Sequence, residues 1–357
     1  MKALVAMSGG VDSSVAAALL VDQGHEAVGV TMKLLARGET GFGCCGSPAD
    51  VDDAKRVCET LGIAHYVVDL ADVFADKVIR PFIDAYLSAK TPNPCVECNR
   101  SLKFGHLLGL ARAWGMDFVA TGHYARVEGG ALLRARDQAK DQTYFLYAMT
   151  ARELELTRFP VGGLEKDEVR AVARRLGLPT ADKPESQEIC FVPNRDYKSF
   201  VAAHADDGAA ALAPGPIRDR AGRELGRHAG LAGYTVGQRR GLGLTSREPL
   251  YVVALEPETN TVVVGRHEET STSGCVVSGL SWTGAARTAP FRAQVRIRHR
   301  HAPAWALIEP RPDGRAPLRF DEPQRAVTPG QSAVFYDGEL VLGGGLIASA
   351  KTGGTGE

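Results

Sequence analysis

Residues 2–14 read KALVAMSGGVDSS, an apolar run followed by a glycine pair and a cluster of hydroxyl side chains. Lys2–Met7 predicts a short buried strand, Ser8–Ser14 a turn, and Val15–Gln23 a helix that ends at Gly24. A strand, a glycine-rich turn and a helix in this order are typical of a phosphate-binding loop. Glycines let the backbone wrap around the anion, and the N-terminus of the helix attracts negative charge.

The same alternation continues along the first half of the chain. It predicts a parallel sheet covered by helices, which is an α/β fold. The further predicted strands are Ala27–Met32, His65–Leu70 and Phe118–Thr121, and the further predicted helices are Asp50–Leu61, Leu102–Trp114 and Asp167–Leu176.

Short β-like runs separated by Gly, Pro, Asn and Asp dominate the chain after about Ala203. We therefore expect an α/β catalytic domain over 1–203, a small central β-rich domain over 204–272 and a C-terminal β-barrel over 273–357. The predicted strands in this part are Tyr251–Leu255, Thr261–Val264, Phe291–Ile297, Ala304–Ile308, Ser332–Tyr336 and Leu340–Leu342.

Composition narrows the class of protein. The 357 residues carry 42 basic and 42 acidic side chains, and this balance excludes a uniformly basic nucleic-acid coat while leaving room for a local basic patch. No apolar stretch approaches the roughly 20 residues that cross a bilayer, and the N-terminal apolar run is too short for a signal peptide. We expect a cytoplasmic protein without a membrane partner.

The loop itself points to one kind of phosphate chemistry. The hydroxyls of Ser8, Ser13 and Ser14 can donate hydrogen bonds, and Asp12 could hold Mg²⁺. The loop lacks the Gly-Lys-Ser/Thr ending with which P-loop enzymes contact the β- and γ-phosphates, so the sequence argues against γ-phosphoryl transfer and favours pyrophosphate recognition.

Seven cysteines without a secretory signal indicate thiol or metal chemistry rather than a disulfide framework. Cys95 and Cys98 follow a double-proline turn within TPNPCVECN, just before a predicted helix whose N-terminus lowers a thiol pKa. Cys190 is far away in sequence and plausibly near in space. The remaining cysteines are Cys44 and Cys45 in a glycine-rich loop, and Cys58 and Cys275 in apolar surroundings typical of packing residues.

An acid-free stretch from Thr270 to Leu307 contains five arginines. Within it, VRIRHR predicts a strand that places Arg296, Arg298 and Arg300 on one face, about 6.6–6.8 Å apart. Such a row can follow a phosphate backbone, although a solvated strand face explains it equally well.

The Ser-Gly-Gly-x-Asp-Ser loop resembles that of the PP-loop ATPases. Six further segments are together similar to the bacterial tRNA-specific 2-thiouridylases, and the resemblance extends from Lys2 to about Ile347. These segments are Thr91–Asn99, Ala120–Tyr124, Lys140–Leu146, Ser186–Phe191, Gly233–Gly243 and Pro329–Tyr336.

This resemblance implies a PP-loop (adenine nucleotide alpha hydrolase-like) domain, a C-terminal barrel that contacts RNA, and ATP-dependent 2-thiolation of the wobble uridine, position 34, of tRNA. ATP adenylates the C2 oxygen, and a persulfide on Cys190 displaces it, giving 2-thiouridine, AMP and pyrophosphate. Cys98 acts as a nucleophile and can form a disulfide with Cys190. A cysteine desulfurase or sulfur relay protein would supply the sulfur, and tRNAs of the Lys, Glu and Gln type would accept it.

The resemblance also assigns the binding residues. Met32 could instead be an apolar strand-end residue, and His123 a satisfied strand-end histidine. The implied ATP site is Ala6, Met7, Ser8, Gly9, Gly10, Val11, Asp12, Ser13, Met32 and Gly122. The implied RNA contacts are Asn93, Pro94, Cys95, His123, Lys140, Asp141, Gln142, Arg298, His299 and Gln331.

One position departs from the family, because many members have Asp where this chain has Cys95. The substitution leaves three thiols, Cys95, Cys98 and Cys190, that could hold a [4Fe–4S] cluster. With Cys44 or Cys45 as a fourth ligand they could hold zinc. Two other functions stay open: a PP-loop ligase or amidotransferase acting on a small metabolite, and a non-catalytic RNA-binding module.

Overall fold

The computed structural model describes residues 1–35, 47–185, 189–206 and 208–351. Its strands are β1 (Lys2–Ala6), β2 (Glu26–Lys33), β3 (Ala64–Asp69), β4 (Phe118–Ala120), β5 (Ala125–Glu128), β6 (Ala131–Arg134), β7 (Thr157–Arg158), β8 (Gly215–Asp219), β9 (Glu224–His228), β10 (Tyr251–Glu256), β11 (Thr261–Gly265), β12 (Ser271–Trp282), β13 (Phe291–Arg296), β14 (Ala304–Ile308), β15 (Arg315–Arg325), β16 (Ser332–Asp337) and β17 (Leu340–Lys351).

The helices cluster in the first 204 residues. They are α1 (Val11–Asp22), α2 (Pro48–Leu61), α3 (Ala71–Phe74), α4 (Arg80–Leu87), α5 (Pro94–Glu97), α6 (Leu107–Ala113), α7 (Ala151–Glu155), α8 (Lys166–Arg175) and α9 (Tyr197–His204). Two π-helical turns, Ala75–Ile79 and Cys98–His106, join α3 to α4 and α5 to α6. Short 3₁₀ turns occur at Thr143–Phe145, Pro193–Arg195, Ala210–Leu212, Leu231–Gly233 and Glu268–Thr270.

The N-terminal part is built on a five-stranded parallel sheet with the order β3-β2-β1-β4-β7. Side chains alternate across it: Val5 packs with α1, α2 and α8 on one face, and Leu4 packs with α3, α4, α6 and α9 on the other. The strand and helix alternation of the sequence therefore predicted the fold class correctly. Helix α1 begins at Val11, so the predicted turn over Ser8–Ser14 was too long.

The C-terminal part is a closed barrel. Strands β12, β15, β14, β13, β16 and β17 follow one another around it, and pairing of β12 with β17 closes the ring around an apolar interior. A hairpin of the N-terminal part, β5–β6, continues this sheet through β17, with Leu133 opposite Leu340. The small central sheet has the order β10-β11-β8-β9. No helix within the described ranges is long and apolar enough to span a membrane.

A buried ion pair joins the barrel to the N-terminal part. The Arg296 guanidinium donates to the Asp141 carboxylate at 3.0 Å, and their side chains are 12% and 1% exposed. The Thr143 hydroxyl contacts both Asp141 oxygens at 2.9 Å. Because the same region contains an apolar core shared by Tyr144 and Tyr336, the two parts are packed as one body at this point.

This pair corrects the predicted arginine row. Strand β13 ends at Arg296 rather than continuing to Arg300, and Arg296 is turned into the domain junction by its bond to Asp141. Arg298 and Arg300 remain exposed. The acid that captures Arg296 lies 155 residues away, so no local pattern could have indicated it.

Replacing Arg296 with Met should lower the free energy of unfolding by about 3–5 kcal/mol, because it leaves the Asp141 carboxylate buried without its partner. Urea unfolding monitored by circular dichroism measures the loss. Arg292→Ala on the same strand is the matched control: its pair with Asp321 is exposed and should be worth no more than about 1 kcal/mol. Equal losses in the two variants would contradict a special role for the junction pair.

Candidate functional site

A pocket opens at the carboxyl ends of the parallel strands, where ligands bind in folds of this kind. The segment after β1, the end of β2 and the segment after β4 all reach it. Nine of the ten residues implied as the ATP site line this pocket: Ala6, Met7, Ser8, Gly10, Val11, Asp12, Ser13, Met32 and Gly122. The fold thus brings together residues that the family resemblance implied as one site.

Two glycines allow this close assembly. Gly9 has a φ of +71°, and a Cβ there would lie 2.3 Å from the Asp50 carbonyl oxygen at the start of α2. A Cβ on Gly122 would lie 2.5 Å from the Ser13 backbone nitrogen. The end of β4 therefore rests directly against the first turn of α1, and only glycine fits at either position.

The loop hydroxyls are turned mainly toward the loop itself. Ser13 donates to the Gly10 carbonyl at 3.0 Å, and Ser14 donates to the same oxygen at 2.8 Å. Ser14 is fully buried and accepts from the Thr180 hydroxyl at 2.9 Å. The expectation that Ser14 contacts a phosphate was wrong, because its hydroxyl holds the loop to a later part of the chain.

Asp12 is held by two neighbours. The Lys166 ammonium lies 2.7 and 2.9 Å from its two carboxylate oxygens, and the Tyr124 hydroxyl donates to it at 2.8 Å. A magnesium ion at Asp12 would have to displace this ammonium, so the arrangement does not favour the Mg²⁺ site suggested by the sequence.

Further acid–base pairs surround the pocket. The Glu185 carboxylate lies 2.6 Å from both Lys140 and Lys166. The Lys183 ammonium lies 2.7 Å from Asp50 and 2.6 Å from Asp53. Lys166, Lys183 and Glu185 were not predicted as site residues. Each is an ordinary charged residue in the sequence, and only the fold brings it to the nucleotide loop.

These ion pairs shift the pKa values of Lys183 and Glu185 toward the charged forms. Burial alone would raise the pKa of Glu185, but its hydrogen bonds to Lys140 and Lys166 lower it overall. Burial alone would lower the pKa of Lys183, but its bonds to Asp50 and Asp53 raise it overall. Both side chains are therefore charged at neutral pH.

Three residues implied as RNA contacts also line the pocket: His123, Lys140 and Gln142. Burial, together with the positive charge of Lys103, holds the pKa of His123 well below its usual range, so the ring is neutral at pH 7. Its Nδ1 lies 2.6 Å from the Thr121 hydroxyl. A neutral ring can exchange hydrogen bonds with a base without placing a charge beside it.

The other implied RNA contacts do not line the pocket and lie in different surroundings. Asp141 is buried in the junction and presents no carboxylate to a ligand. Arg298 is exposed, and the His299 ring packs against Phe145 with centroids 4.6 Å apart. Gln331 donates to the carbonyls of Thr91 at 2.9 Å and Pro92 at 3.4 Å.

The barrel thereby holds the segment that leads to Cys95 and Cys98. The Thr91 amide donates to the Pro329 carbonyl at 2.9 Å, next to the bonds made by Gln331. Two residues later, the Asn93 side chain accepts from the Cys95 amide at 3.2 Å and caps α5. Pro94 occupies the first turn of that helix. Helical structure thus begins at Pro94 and not at Leu102 as predicted, so Cys95 and Cys98 lie within helical segments and not before them.

The thiols differ in exposure. Cys95 is exposed, whereas Cys98 and Cys190 are half-buried and pack against the same apolar core beneath the sheet. Cys58 and Cys275 are buried packing residues, as predicted, and burial raises their pKa values to about 11 and about 12. Cys44, Cys45 and the residues 186–188 before Cys190 lie outside the described residues.

Among the residues that the structure describes, the geometry gives no support to a metal centre. Within the described ranges, no three His, Cys, Asp or Glu side chains are placed to hold one metal ion. Cys95, Cys98 and Cys190 therefore do not form a ready site for the suggested [4Fe–4S] cluster in this arrangement. The suggested zinc site depends on Cys44 or Cys45.

Family models match almost the whole chain. Residues 1–194 match the tRNA methyl transferase HUP domain, residues 198–266 the tRNA methyl transferase PRC-barrel domain, and residues 272–347 the aminomethyltransferase beta-barrel domain. The architecture described above, a parallel sheet followed by a small β domain and a barrel, agrees with this order of domains.

Curated relatives are similar over nearly their full length, and each is named tRNA-specific 2-thiouridylase MnmA. The protein of Geobacter metallireducens is 48% identical, with 98% of each chain covered. That of Moorella thermoacetica is 49% identical, covering 97% of this chain and 99% of its own. That of Acidobacterium capsulatum is 48% identical, covering 96% and 98%. On this similarity, the chain belongs to the MnmA family of tRNA-specific 2-thiouridylases.

Proposed function

We propose that this protein thiolates C2 of the wobble uridine, position 34, of tRNA in two steps, using ATP and then a persulfide on Cys190. One observation carries the proposal: nine of the ten residues implied for ATP line one pocket with three implied for RNA, His123, Lys140 and Gln142. A shared pocket is what direct reaction between a nucleotide and a nucleobase requires.

The first step activates a poor leaving group. The C2 oxygen of uridine attacks the α-phosphorus of ATP, the bond to the β-phosphate breaks, and pyrophosphate leaves. The loop from Ala6 to Ser13, with Met32 and Gly122, holds the nucleotide. The loop lacks the lysine of a P-loop enzyme, which fits attack at the α- rather than the γ-phosphorus.

The second step delivers sulfur. The terminal sulfur of the Cys190 persulfide attacks C2, and the carbon–oxygen bond breaks to release AMP. The Cys98 thiolate then attacks the Cys190 sulfur, which frees 2-thiouridine and leaves a Cys98–Cys190 disulfide for an external thiol to reduce. The packing of both cysteines against the same core supports this pairing.

The partners follow from this scheme. A cysteine desulfurase or a sulfur relay protein recharges Cys190, and the acceptors are tRNAs of the Lys, Glu and Gln type in the cytoplasm. Asn93, Pro94 and Cys95, at the start of α5, approach the target base, while Arg298 and His299 on the barrel contact the tRNA beside it. Domain limits at 203 and 272 would separate the catalytic, central and RNA-contacting parts.

Replacing Cys190 with Ser should abolish 2-thiouridine formation, because the persulfide carrier is lost, while pyrophosphate release stimulated by tRNA persists. Thiolated tRNA is measured as the slower band on a mercury-containing gel, and pyrophosphate with labelled ATP. Cys275→Ala, which removes a buried thiol of the barrel, serves as the control and should thiolate normally. Thiolation by the Cys190 variant would contradict the proposed carrier.

Replacing Arg298 with Ala should weaken tRNA binding. It should also reduce the magnitude of the slope of log affinity against log salt concentration by about 1, as expected for one lost phosphate contact. Binding is measured by filter retention over a range of salt concentrations. Arg315→Ala, another exposed barrel arginine, is the matched control. An unchanged slope for Arg298→Ala would exclude this contact.

Anaerobically purified protein should thiolate tRNA without bound iron, because the described thiols form no ready cluster site. Iron and acid-labile sulfide are assayed on the same preparation that is tested for activity. Stoichiometric iron, with thiolation lost on its removal, would replace the persulfide route by a cluster on Cys95, Cys98 and Cys190.

A further inference from the structure

Cys95 and Cys98 lie three residues apart in one continuous stretch of helical backbone. Helix α5 covers Pro94–Glu97, and Cys98 follows it with helical dihedral angles, φ −58° and ψ −44°. Residues at this spacing lie on the same face of a helix. In a regular turn their Cα atoms are about 5 Å apart, within the range of about 4.4–6.8 Å that a disulfide spans. The backbone therefore places the two thiols within reach of a mutual disulfide.

The helical turn that carries this pair is held on both sides. Before it, the Asn93 side chain accepts from the Cys95 amide at 3.2 Å. After it, the Asn99 side chain is buried, with 4% of its surface exposed, and donates to the Phe145 carbonyl at 3.1 Å. The spacing of Cys95 and Cys98 is thus fixed by contacts that involve neither thiol group.

The two thiols face different surroundings. Cys95 is exposed to solvent, whereas Cys98 is half-buried and packs against the apolar core that Cys190 also contacts. Cys98 is therefore the middle member of a series of three thiols. Cys190 meets it at the core, and Cys95 meets it from the exposed side of the helix.

This order matters for the end of the proposed reaction, which leaves a disulfide between Cys98 and Cys190. The disulfide must be opened before Cys190 can accept new sulfur. Because both of its sulfurs are half-buried, a reductant from solution has restricted access to it. A thiol held one helical turn away attacks as an intramolecular nucleophile, with a much higher effective concentration than a molecule in solution.

We propose that Cys95 is the resolving thiol of this enzyme. The Cys95 thiolate attacks Sγ of Cys98, a Cys95–Cys98 disulfide forms, and the Cys98–Cys190 bond breaks. Cys190 leaves as a thiolate and can take up the proton that Cys95 lost. Cys95 is oxidised and Cys190 is reduced, so the exchange needs no outside oxidant.

The new disulfide includes the exposed sulfur of Cys95, and an external dithiol then reduces it to two thiols. The role in turnover rests on the proposed function, which generates the Cys98–Cys190 disulfide. The exchange itself does not, because it needs only the three thiols.

The test reads the disulfide pattern by mass spectrometry of unreduced tryptic peptides. Cys95 and Cys98 lie together on peptide 91–100, and Cys190 lies on peptide 176–195, in which the only lysine precedes a proline and is not cut. An internal disulfide in peptide 91–100 and a cross-link between the two peptides therefore have different masses.

Full-length protein loaded with persulfide is given tRNA and ATP for one turnover without reductant, and iodoacetamide then blocks the remaining thiols. In the wild type, the internal disulfide should exceed the cross-link by about threefold or more, because Cys95 has displaced Cys190. Cys95→Ser, a nearly isosteric change at an exposed position, should leave only the cross-link. Cys275→Ala removes a buried thiol of the barrel and should give the wild-type pattern. A dominant cross-link in the wild type would overturn the proposal.

The same peptides are compared after oxidation of the resting protein with oxidised dithiothreitol, without tRNA or ATP. The internal disulfide should again dominate in the wild type, and the cross-link in Cys95→Ser. Wild-type protein that forms no 2-thiouridine, yet gives this pattern on oxidation, would refute the proposed function and leave the exchange supported. Formation of 2-thiouridine together with a dominant cross-link in both experiments would overturn the exchange and leave the proposed function standing.

Discussion

The bond between Arg296 of the barrel and Asp141 of the catalytic part is the contact on which the composite site depends. A carboxylate with 1% of its side chain exposed is stable in charged form only if its partners are fixed in place. Asp141 lies between Lys140 and Gln142, which both line the pocket. Holding Asp141 therefore also fixes the backbone that presents its neighbours, and the barrel takes part in building a pocket that it does not line.

The pocket combines a rigid floor with a set of exchangeable charges. The floor is rigid because Gly9 and Gly122 bring backbone against backbone, leaving no space in which the loop could shift. The walls carry lysines matched by carboxylates, so the empty pocket is close to neutral. When a polyphosphate enters, its oxygens replace the carboxylates as partners of the lysines. The empty pocket therefore needs no buried, unpaired lysine, which would be costly to maintain in the folded protein.

Local sequence patterns predicted the elements whose conformation is determined by residues adjacent in the chain. The apolar run of Lys2–Met7 and the glycines of the loop act on their own neighbours, and the strand lies where expected, with the loop directly after it. Helix α5, which begins at Pro94, was not predicted. Residues set by distant partners could not be predicted. The buried pair of Asp141 with Arg296 joins residues 155 positions apart, and the β5–β6 hairpin belongs to the barrel sheet only through β17.

The two candidate thiols come after chain segments that are held by different parts of the protein. The segment leading to Cys98 is bonded to the barrel by Gln331 and Pro329, so the part of the protein proposed to contact RNA also places this cysteine. Residues 180–185, which precede Cys190 in the chain, are bonded to the nucleotide loop and its flanking helices through Thr180 and Lys183. One cysteine therefore follows a segment held by the barrel, and the other comes after a segment held beside the nucleotide loop. In the proposed reaction, which joins a nucleotide to a base and then replaces it with sulfur, these two segments belong to the sides of the two different substrates.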